Sequence, residues 1–265
     1  MDKYRGYREE NRRVWDEITP VHYENPGYRV AEFLDGDLII NKAILDEVGE
    51  VRNKKLLHMM CHFGLDTLTF ARLGAEVTGV DFSEKSIRLA RSLAEKTQLA
   101  ATFIESDIYD MHLQLEEEFD IVFSSLGVLV WLNDLDGWAQ QIASHLKGGG
   151  FFYLFEFHPI IIMFSDDSED EPYFHEDEPM IYDDAKDYCD TSYRIENRPH
   201  EWAWTVGDVI TALCDSGLRI EFVHEFPYAL DKCVDNTVER DGKWWLPGKE
   251  KKIPLSFSVK AVKPE

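Results

Sequence analysis

From Lys55 onward the sequence alternates short apolar segments with segments of helical spacing, and this alternation restricts the fold more than any other feature. Such a pattern builds βαβ units, in which a helix returns the chain to a parallel neighbouring strand. The apolar segments predict strands at 55–60, 75–80, 101–105, 119–124 and 151–157. Helices are predicted at 8–18, 31–48, 65–73, 83–97 and 135–146, the fourth with Ser83 as its N-cap. Pro20, Pro26 and Gly27 are expected to break the chain between the first two.

The C-terminal part of the chain follows a different pattern. Thr205 and Asp208 have the spacing of a capping box, which predicts a helix that ends at Gly217. Strands predicted at 218–226 and 254–262 have no helical pattern between them, so they can pair only antiparallel. We therefore predict an α/β fold with a doubly wound, mostly parallel, seven-stranded Rossmann-like sheet that ends in an antiparallel strand pair. Simple dinucleotide dehydrogenases lack this ending.

The charge of the chain is strongly negative and uneven. The 28 Lys and Arg residues oppose 51 Asp and Glu residues, a net charge of −23, which disfavours nucleic acid and anionic membranes as partners. Twelve acids and one base lie in 166–190, either as a solvated insertion or as a lid that attracts a cationic substrate. We predict four segments: an N-terminal helical lid (1–50), a cofactor-binding core (51–160), an acidic insertion that covers the substrate (161–204) and a C-terminal helix with the strand pair (205–265).

The sequence also bears on the compartment. Residues 1–13 contain no apolar core of a signal peptide, and no apolar run is long enough to span a bilayer. The four cysteines, Cys61, Cys189, Cys214 and Cys233, are scattered and form no CxxC pair, which is typical of reduced intracellular thiols. We expect a cytoplasmic protein, either a monomer or a dimer.

Ligands of open parallel sheets bind at the carboxyl ends of the strands, which directs attention to the residue after each predicted strand. The first strand is followed by a turn at 61–64 that leads into a helix, where backbone N–H groups suit an anion. Asp81 follows the second strand, where a carboxylate can accept hydrogen bonds from two ribose hydroxyls. Asp107 follows the third strand, within reach of the exocyclic amine of an adenine.

Five short sequence motifs resemble those of the class I S-adenosylmethionine-dependent methyltransferases. They are Leu57-His58-Met59-Met60-Cys61-His62-Phe63-Gly64, Val77-Thr78-Gly79-Val80-Asp81-Phe82-Ser83, Glu105-Ser106-Asp107, Phe119-Asp120-Ile121-Val122-Phe123-Ser124-Ser125 and Leu146-Lys147-Gly148-Gly149-Gly150. The resemblance covers residues 54–157 and the C-terminal strand pair. It implies S-adenosylmethionine as cofactor and S-adenosylhomocysteine as product.

The resemblance also implies roles for individual residues. The turn at 61–64 would hold the methionine end, Asp81 the ribose, and Phe82 the adenine face, while residues 124–126 would lie beside the sulfonium. The predicted cofactor-binding residues are Tyr28, Cys61, His62, Gly64, Asp81, Phe82, Ser83, Asp107, Ile108, Ser124, Ser125 and Leu126. Residues 15–29, which include His22 and Tyr28, are expected to fold over the cofactor as a lid.

Two residues of the turn depart from the family pattern, and several of the predicted site residues also have a simpler structural interpretation. Met60 and His62 replace glycines of the family, which implies a reshaped turn. Asp81 could merely cap the next helix, but we expect it to face an open cleft, where its replacement would change stability little. Cys61 is more readily a buried thiol than a nucleophile, and a metal site at His58 and His62 is disfavoured.

Methyl transfer requires chiefly alignment, exclusion of water and, for some acceptors, removal of a proton. Glu156 and His158 follow the fifth strand, and His158 is the candidate general base. It could equally be a structural histidine at the start of the insertion. We predict a methyltransferase that acts on a small molecule. A cofactor-binding regulatory or scaffold protein without transferase activity is the alternative, and a dehydrogenase is weakened by the missing GxGxxG word.

Overall fold

The structure is a computed structural model that describes residues 3–164, 171–234 and 236–265. Its strands are β1 (Lys55–Met59), β2 (Glu76–Asp81), β3 (Ala101–Glu105), β4 (Phe119–Ser125), β5 (Leu146–Phe157), β6 (Met180–Ile181), β7 (His200–Glu201), β8 (Arg219–Phe226), β9 (Val238–Arg240), β10 (Lys243–Trp245) and β11 (Ser256–Val262). Its α-helices are α1 (Arg5–Glu24), α2 (Val30–Asp35), α3 (Lys42–Val48), α4 (Leu65–Arg72), α5 (Glu84–Thr97), α6 (Leu135–His145) and α7 (Val206–Asp215).

Seven of these strands form one sheet in the order β3-β2-β1-β4-β5-β11-β8. Strand β1 pairs parallel with β2 and β4, and β2 pairs parallel with β3. Strand β11 pairs antiparallel with both β5 and β8, because no helical crossover separates β8 from β11. The predicted Rossmann-like fold with an antiparallel ending is confirmed.

Two predicted helix starts are confirmed by their hydrogen bonds. The Ser83 hydroxyl accepts the Ser86 N–H at 3.1 Å and caps α5. At the start of α7, Thr205 accepts the Asp208 N–H and the Asp208 carboxylate accepts the Thr205 N–H, which completes a reciprocal capping box.

Three predicted boundaries are wrong. Helix α1 continues through Pro20 to Glu24, and the buried residues on both sides of the proline hold a helix that it disfavours. The predicted helix 31–48 is two helices, because Gly36 ends α2 in the left-handed conformation (φ 112°). Strand β5 begins at Leu146 rather than at the predicted residue 151, so the three glycines at 148–150 lie in the strand.

The hairpin of β9 and β10 is absent from the sequence prediction. Its strands pair antiparallel, and its turn residues Asp241 (φ 55°) and Gly242 (φ 69°) both have positive φ. An Asp-Gly pair between two short strands is a strong hairpin signal, since both turn positions require that conformation. The signal was present in the sequence and could have predicted this element.

The chain divides into two compact units, of which the first comprises Met1–Phe123, Ser144–Lys147 and Ile181–His200 and the second Ser124–Ala143, Gly148–Met180 and Glu201–Glu265. A core cluster of the first unit comprises Phe33, Cys61, Phe63, Leu65, Leu68, Ile87, Ala90, Leu93 and Phe103. One in the second comprises Ala229, Val234, Leu246 and Leu255. The four-segment division proposed from the sequence stays a prediction. Among the described residues, no helix combines the length and apolarity needed to cross a membrane.

Candidate active site

The turn between β1 and α4 keeps a left-handed backbone at each position where the family pattern has glycine. The φ angles are 59° at Met60, 51° at His62 and 76° at Gly64. Met60 and His62 thus adopt a conformation that glycine reaches without strain, and the expectation of a reshaped turn stays a prediction. A non-glycine residue in this conformation costs about 1–2 kcal/mol, so the surrounding contacts must hold Met60 and His62 in place.

Gly64 is required for steric reasons as well. A Cβ atom at this position would lie 2.7 Å from the ring of Phe103 and 3.1 Å from the Cβ of Ala90. Gly64 is also the N-cap of α4, so its close packing sets where this helix begins. Gly64 is the one glycine of the family pattern that this turn retains, and any side chain at its position would clash with Phe103.

The carboxylate of Asp81 holds the turn from the end of β2. Its Oδ2 accepts the His62 N–H at 2.8 Å and its Oδ1 accepts the Ser83 N–H at 2.9 Å. Asp81 is buried, with 7% of its surface exposed, which contradicts the expected position in an open cleft. Burial raises the pKa of Asp81 to about 6, although both N–H groups favour the ionised form.

Helix α1 lies against the residues that follow β2. Asp16 of this helix accepts hydrogen bonds from the Ser83 hydroxyl at 2.8 Å and from the Lys85 N–H at 3.2 Å. Thr19, one turn further, shares a 2.8 Å hydrogen bond with Ser86. The N-terminal segment is therefore joined to the start of α5 by side-chain hydrogen bonds.

The residues after β3 are also joined to α1. Arg8 donates from Nε to Asp107 Oδ2 at 2.6 Å, and the other Asp107 oxygen accepts the Tyr109 N–H at 3.1 Å. Ile108 is buried, and Phe82, after β2, is half-buried. The Asp107 carboxylate is thus already engaged at the position where the sequence predicts contact with adenine.

Besides the adjacent Phe63, three aromatic side chains surround the His62 ring of the turn. The His62 ring centroid lies 5.0 Å from that of Trp15, 5.2 Å from that of His22 and 5.6 Å from that of Tyr28. Burial, with His22 nearby, lowers the pKa of His62 well below its ordinary value, so the ring is neutral. The predicted residues Tyr28, Cys61, His62, Gly64, Asp81, Phe82, Ser83, Asp107 and Ile108 all belong to the first unit.

Two other residues of the first β-strand and its turn are structural. His58 is buried against Phe123 and its Nδ1 shares a 2.8 Å hydrogen bond with Thr67, and burial lowers its pKa to about 3. Burial raises the pKa of the Cys61 thiol well above its ordinary value, with the Asp81 carboxylate adding to the effect. A thiol in that state is a poor nucleophile, in agreement with the simpler interpretation of Cys61.

A buried polar cluster, which no sequence pattern predicted, joins α1 to residues 187–189. His22 Nε2 lies 2.7 Å from Asp187 Oδ2, and both side chains are fully buried. Asp187 Oδ1 accepts hydrogen bonds from the Cys189 N–H at 3.0 Å and from its thiol at 2.9 Å. One ligand atom from each of the three residues lies within 4.8 Å of the others, a spacing that would also suit a metal ion.

The same segment makes further contacts with α1. Glu17 accepts hydrogen bonds from the N–H groups of Glu196 and Asn197, and Asn11 pairs with the backbone of His200 in both directions. This part of the predicted insertion is therefore anchored to the N-terminal helix rather than solvated. The acidic residues Asp166, Asp167, Glu169 and Asp170 lie outside the described residues.

In the second unit, Glu156 organises the loop after β4. Its carboxylate accepts the N–H groups of Gly127 (2.6 Å), Val128 (2.8 Å), Leu129 (3.2 Å) and Phe157 (2.7 Å). Burial raises its pKa, and the four donors oppose that effect. Glu156 therefore fixes backbone directly after the predicted site residues.

Those predicted residues, Ser124, Ser125 and Leu126, lie at the end of β4 and just beyond it. Ser124 is buried, and the other two are half-buried. The Leu126 N–H donates to the Phe155 carbonyl at 3.1 Å.

His158, the candidate base, is buried with both ring nitrogens engaged. Its Nδ1 accepts the Ile160 N–H at 3.1 Å, so Nε2 carries the proton and donates to Glu225 at 3.0 Å. Burial lowers the pKa of His158, although Glu225 favours the charged ring. This geometry favours the structural alternative for His158, and its catalytic role stays a prediction.

The strand order of the sheet defines the fold. It is a Rossmann-like sheet with an antiparallel ending, a fold shared with solved methyltransferase structures. Residues 56–150 match the family described as a methyltransferase domain. This match confirms the resemblance predicted from the sequence motifs.

Curated relatives match about half of the chain or less. A ubiquinone biosynthesis O-methyltransferase of Pelagibacter ubique is 27% identical over 143 residues, which cover 53% of this chain and 58% of the relative. One of Nitrobacter winogradskyi is 35% identical over 96 residues, 36% of each chain. The chain thus spans about half the length, or less, of these relatives.

Solved structures extend the similarity of fold beyond the family match. An S-adenosylmethionine-dependent methyltransferase from Mesorhizobium loti is 22% identical with a TM-score of 0.57, covering 87% of this chain and 100% of that one. One from Clostridium acetobutylicum is 15% identical with a TM-score of 0.59, covering 95% and 99%. At these identities the likeness describes the fold.

Proposed function

We propose that this chain is an S-adenosylmethionine-dependent methyltransferase that acts on a small molecule. The observation that carries the proposal is the hydrogen bond between the Asp81 carboxylate and the His62 N–H. It joins the end of β2 to the left-handed turn after β1, at the edge of a parallel sheet where nucleoside ligands bind.

The residues present fit this cofactor. An ionised carboxylate has about four acceptor positions, and the N–H groups of Ser83 and His62 occupy two at Asp81. The remaining capacity suits two ribose hydroxyls. In this proposal the turn of Cys61, His62 and Gly64 holds the methionine end, and the other predicted site residues keep the roles given above.

When bound, the cofactor would supply an activated methyl group on a sulfonium, so the protein needs mainly to align the acceptor and exclude water. Helix α1 and the aromatic rings around His62 are placed to exclude water from the turn. The O-methyltransferase names of the matched relatives support a hydroxyl acceptor. A cytoplasmic location stays a prediction.

Calorimetry with S-adenosylhomocysteine tests this function. We expect micromolar binding by the wild-type protein, weaker binding by Asp81→Asn, and wild-type binding by Asp208→Asn, which removes a carboxylate that holds backbone at α7 instead. Tight NAD binding without S-adenosylhomocysteine binding would overturn the proposal. Tight S-adenosylhomocysteine binding without turnover of any acceptor would favour the non-catalytic alternative.

A further inference from the structure

Four polar side chains of the first unit form a continuous chain of hydrogen bonds. The Asp187 carboxylate bonds to His22 Nε2 at 2.7 Å, His22 Nδ1 bonds to the Tyr28 hydroxyl at 2.9 Å, and that hydroxyl bonds to the Tyr188 hydroxyl. Asp187 and His22 are fully buried, whereas Tyr188 is 60% exposed. This series of hydrogen bonds therefore leads from a buried acid to a tyrosine that is largely exposed.

The hydrogen bonds of this series all run in one direction, with each donor on the Tyr188 side of its acceptor. Burial alone would raise the pKa of Asp187, but hydrogen bonds from His22 and Cys189 outweigh it, so the pKa lies below its ordinary value and the carboxylate only accepts. His22 must then carry its proton on Nε2, which leaves Nδ1 to accept the Tyr28 hydroxyl. The Tyr28 oxygen in turn accepts the Tyr188 hydroxyl.

The chain borders the turn after β1. The His22 and Tyr28 rings lie 5.2 and 5.6 Å from the His62 ring, and the His22 and Tyr28 rings stack at 5.0 Å. The titratable groups around His22 are Asp187, Tyr188 and Cys189 from the 181–200 segment, with Tyr28 and His62. A hydroxyl or amine acceptor bound against Tyr188 would meet a route for the proton it loses.

We propose that these four hydrogen-bonded side chains take up the proton released by a hydroxyl or amine acceptor, an inference that rests on the proposed function. The acceptor atom bonds to the methyl carbon as the carbon–sulfur bond breaks, and the electron pair stays on sulfur. The acceptor proton passes to the Tyr188 oxygen, the Tyr188 proton to Tyr28, and the Tyr28 proton to His22 Nδ1. His22 becomes an imidazolium beside the Asp187 carboxylate.

These steps assign different roles to the four residues. Tyr188 is the catalytic residue that contacts the acceptor, and Tyr28, His22 and Asp187 are positioning residues that act through it. The proposal also restricts the substrate class, because an acceptor without a proton on its attacking atom, such as a carboxylate or a tertiary amine, would have no use for the chain.

Nuclear magnetic resonance of the ¹⁵N-histidine-labelled protein tests the chain without an acceptor. We expect His22 in the Nε2–H tautomer, and a shift of its Nδ1 resonance in Tyr28→Phe. Tyr193→Phe is the matched control, since the Tyr193 hydroxyl joins the same segment to α1 through Glu17. The opposite tautomer, a Tyr28→Phe spectrum equal to wild type, or stoichiometric Zn²⁺ binding that removes the Nε2–H signal would overturn the proposal.

Kinetics with S-adenosylmethionine and catechol as probe acceptor test the role. We expect Tyr28→Phe, Tyr188→Phe and His22→Gln to lower kcat by about 100-fold. In His22→Gln, KM for catechol and affinity for S-adenosylhomocysteine should stay within about twofold of wild type. The loss should shrink at alkaline pH, where catechol ionises in solution, a response that a structural role alone does not produce. Tyr193→Phe should match wild type.

The two proposals fail in different ways. Catechol turnover by Tyr28→Phe at the wild-type rate and pH dependence would overturn the proton route and leave the methyltransferase function intact. A wild-type protein that binds no S-adenosylhomocysteine would overturn the proposed function. The His22 tautomer measured by nuclear magnetic resonance would then still test whether the hydrogen bonds among the four side chains form.

Discussion

The Asp81 carboxylate accepts the backbone N–H of His62 across 2.8 Å, so the end of β2 fixes a residue that the chain places 19 positions earlier. The same carboxylate accepts the Ser83 N–H that precedes α5. One buried acid thereby connects the turn after β1, the end of β2 and the start of a helix. A residue with these contacts supports the backbone of the candidate site.

Replacement of Asp81 by Ala should weaken binding of S-adenosylmethionine and S-adenosylhomocysteine alike. Charged hydrogen bonds are worth about 1.5–3 kcal/mol each before the competing hydrogen bonds to water are subtracted, which predicts a net loss of roughly tenfold to a few hundredfold. Contrary to the expectation from sequence, the free energy of unfolding should also fall by about 1–3 kcal/mol, because two backbone N–H groups lose their acceptor. Calorimetry and urea denaturation measure the two effects, and unchanged affinity for both ligands would refute the cofactor role.

Binding should depend on pH through the same residue. The pKa of Asp81 is raised from 3.8 to about 6 in the folded protein, so the carboxyl becomes protonated as pH falls through about 6. The protonated form is the weaker acceptor, and affinity for S-adenosylhomocysteine at pH 5 should be about tenfold below that at pH 8. Asp81→Asn should remove this dependence, and a dependence that survives in that variant would assign the titration to another group.

The raised pKa of Asp81 also has a consequence for stability. The unfolded chain loses this proton near pH 4, whereas the folded protein retains it to about pH 6. The contribution of Asp81 to the free energy of unfolding should therefore decline as pH rises between these values and stay constant above them. Comparing wild type with Asp81→Asn by urea denaturation across this range isolates the contribution, and parallel pH profiles for the two proteins would contradict it.

Replacement of Gly64 by Ala should destabilise the protein by about 2–4 kcal/mol. The new Cβ would combine a φ of 76° with contact at 2.7 Å to the Phe103 ring. Gly36→Ala is the matched control, because Gly36 has a φ of 112° but a Cβ there would meet no atom within 4 Å. The destabilisation in Gly36→Ala should come from the positive φ alone, about 1–2 kcal/mol. Equal urea midpoints for the two variants would exclude the steric explanation.

Replacement of Glu156 by Gln should lower the free energy of unfolding by about 1–3 kcal/mol. The amide nitrogen would face N–H donors that a carboxylate oxygen now accepts, leaving them buried without a partner. Glu221→Gln serves as control, since Glu221 is exposed on β8 and lies 3.5 Å from Lys260 in a solvated ion pair. Hydrogen exchange at Gly127 and Val128 should accelerate in Glu156→Gln, and unaltered exchange would contradict the assigned role.

Local signals explain what the sequence predicted correctly. Ser83 and Thr205 mark their helices because a short hydroxyl side chain satisfies an unpaired N–H a few residues away. The parallel strands and the antiparallel ending follow from the spacing of apolar segments. The position of Asp81 at the end of β2 was predicted for the same reason, since the end of a strand is a local property of the sequence.

Packing over long sequence separations decided the rest. The sequence alone determined the Rossmann-like sheet and the position of Asp81, because short stretches of sequence specify the spacing and the ends of strands. Only the tertiary structure decided that Asp81 is buried and that His22 meets Asp187, 165 residues away. Such a pair forms when the 181–200 segment docks on α1, and no periodicity in either segment encodes the contact. Burial and partners depend on what the rest of the chain places around a residue, which local spacing does not specify.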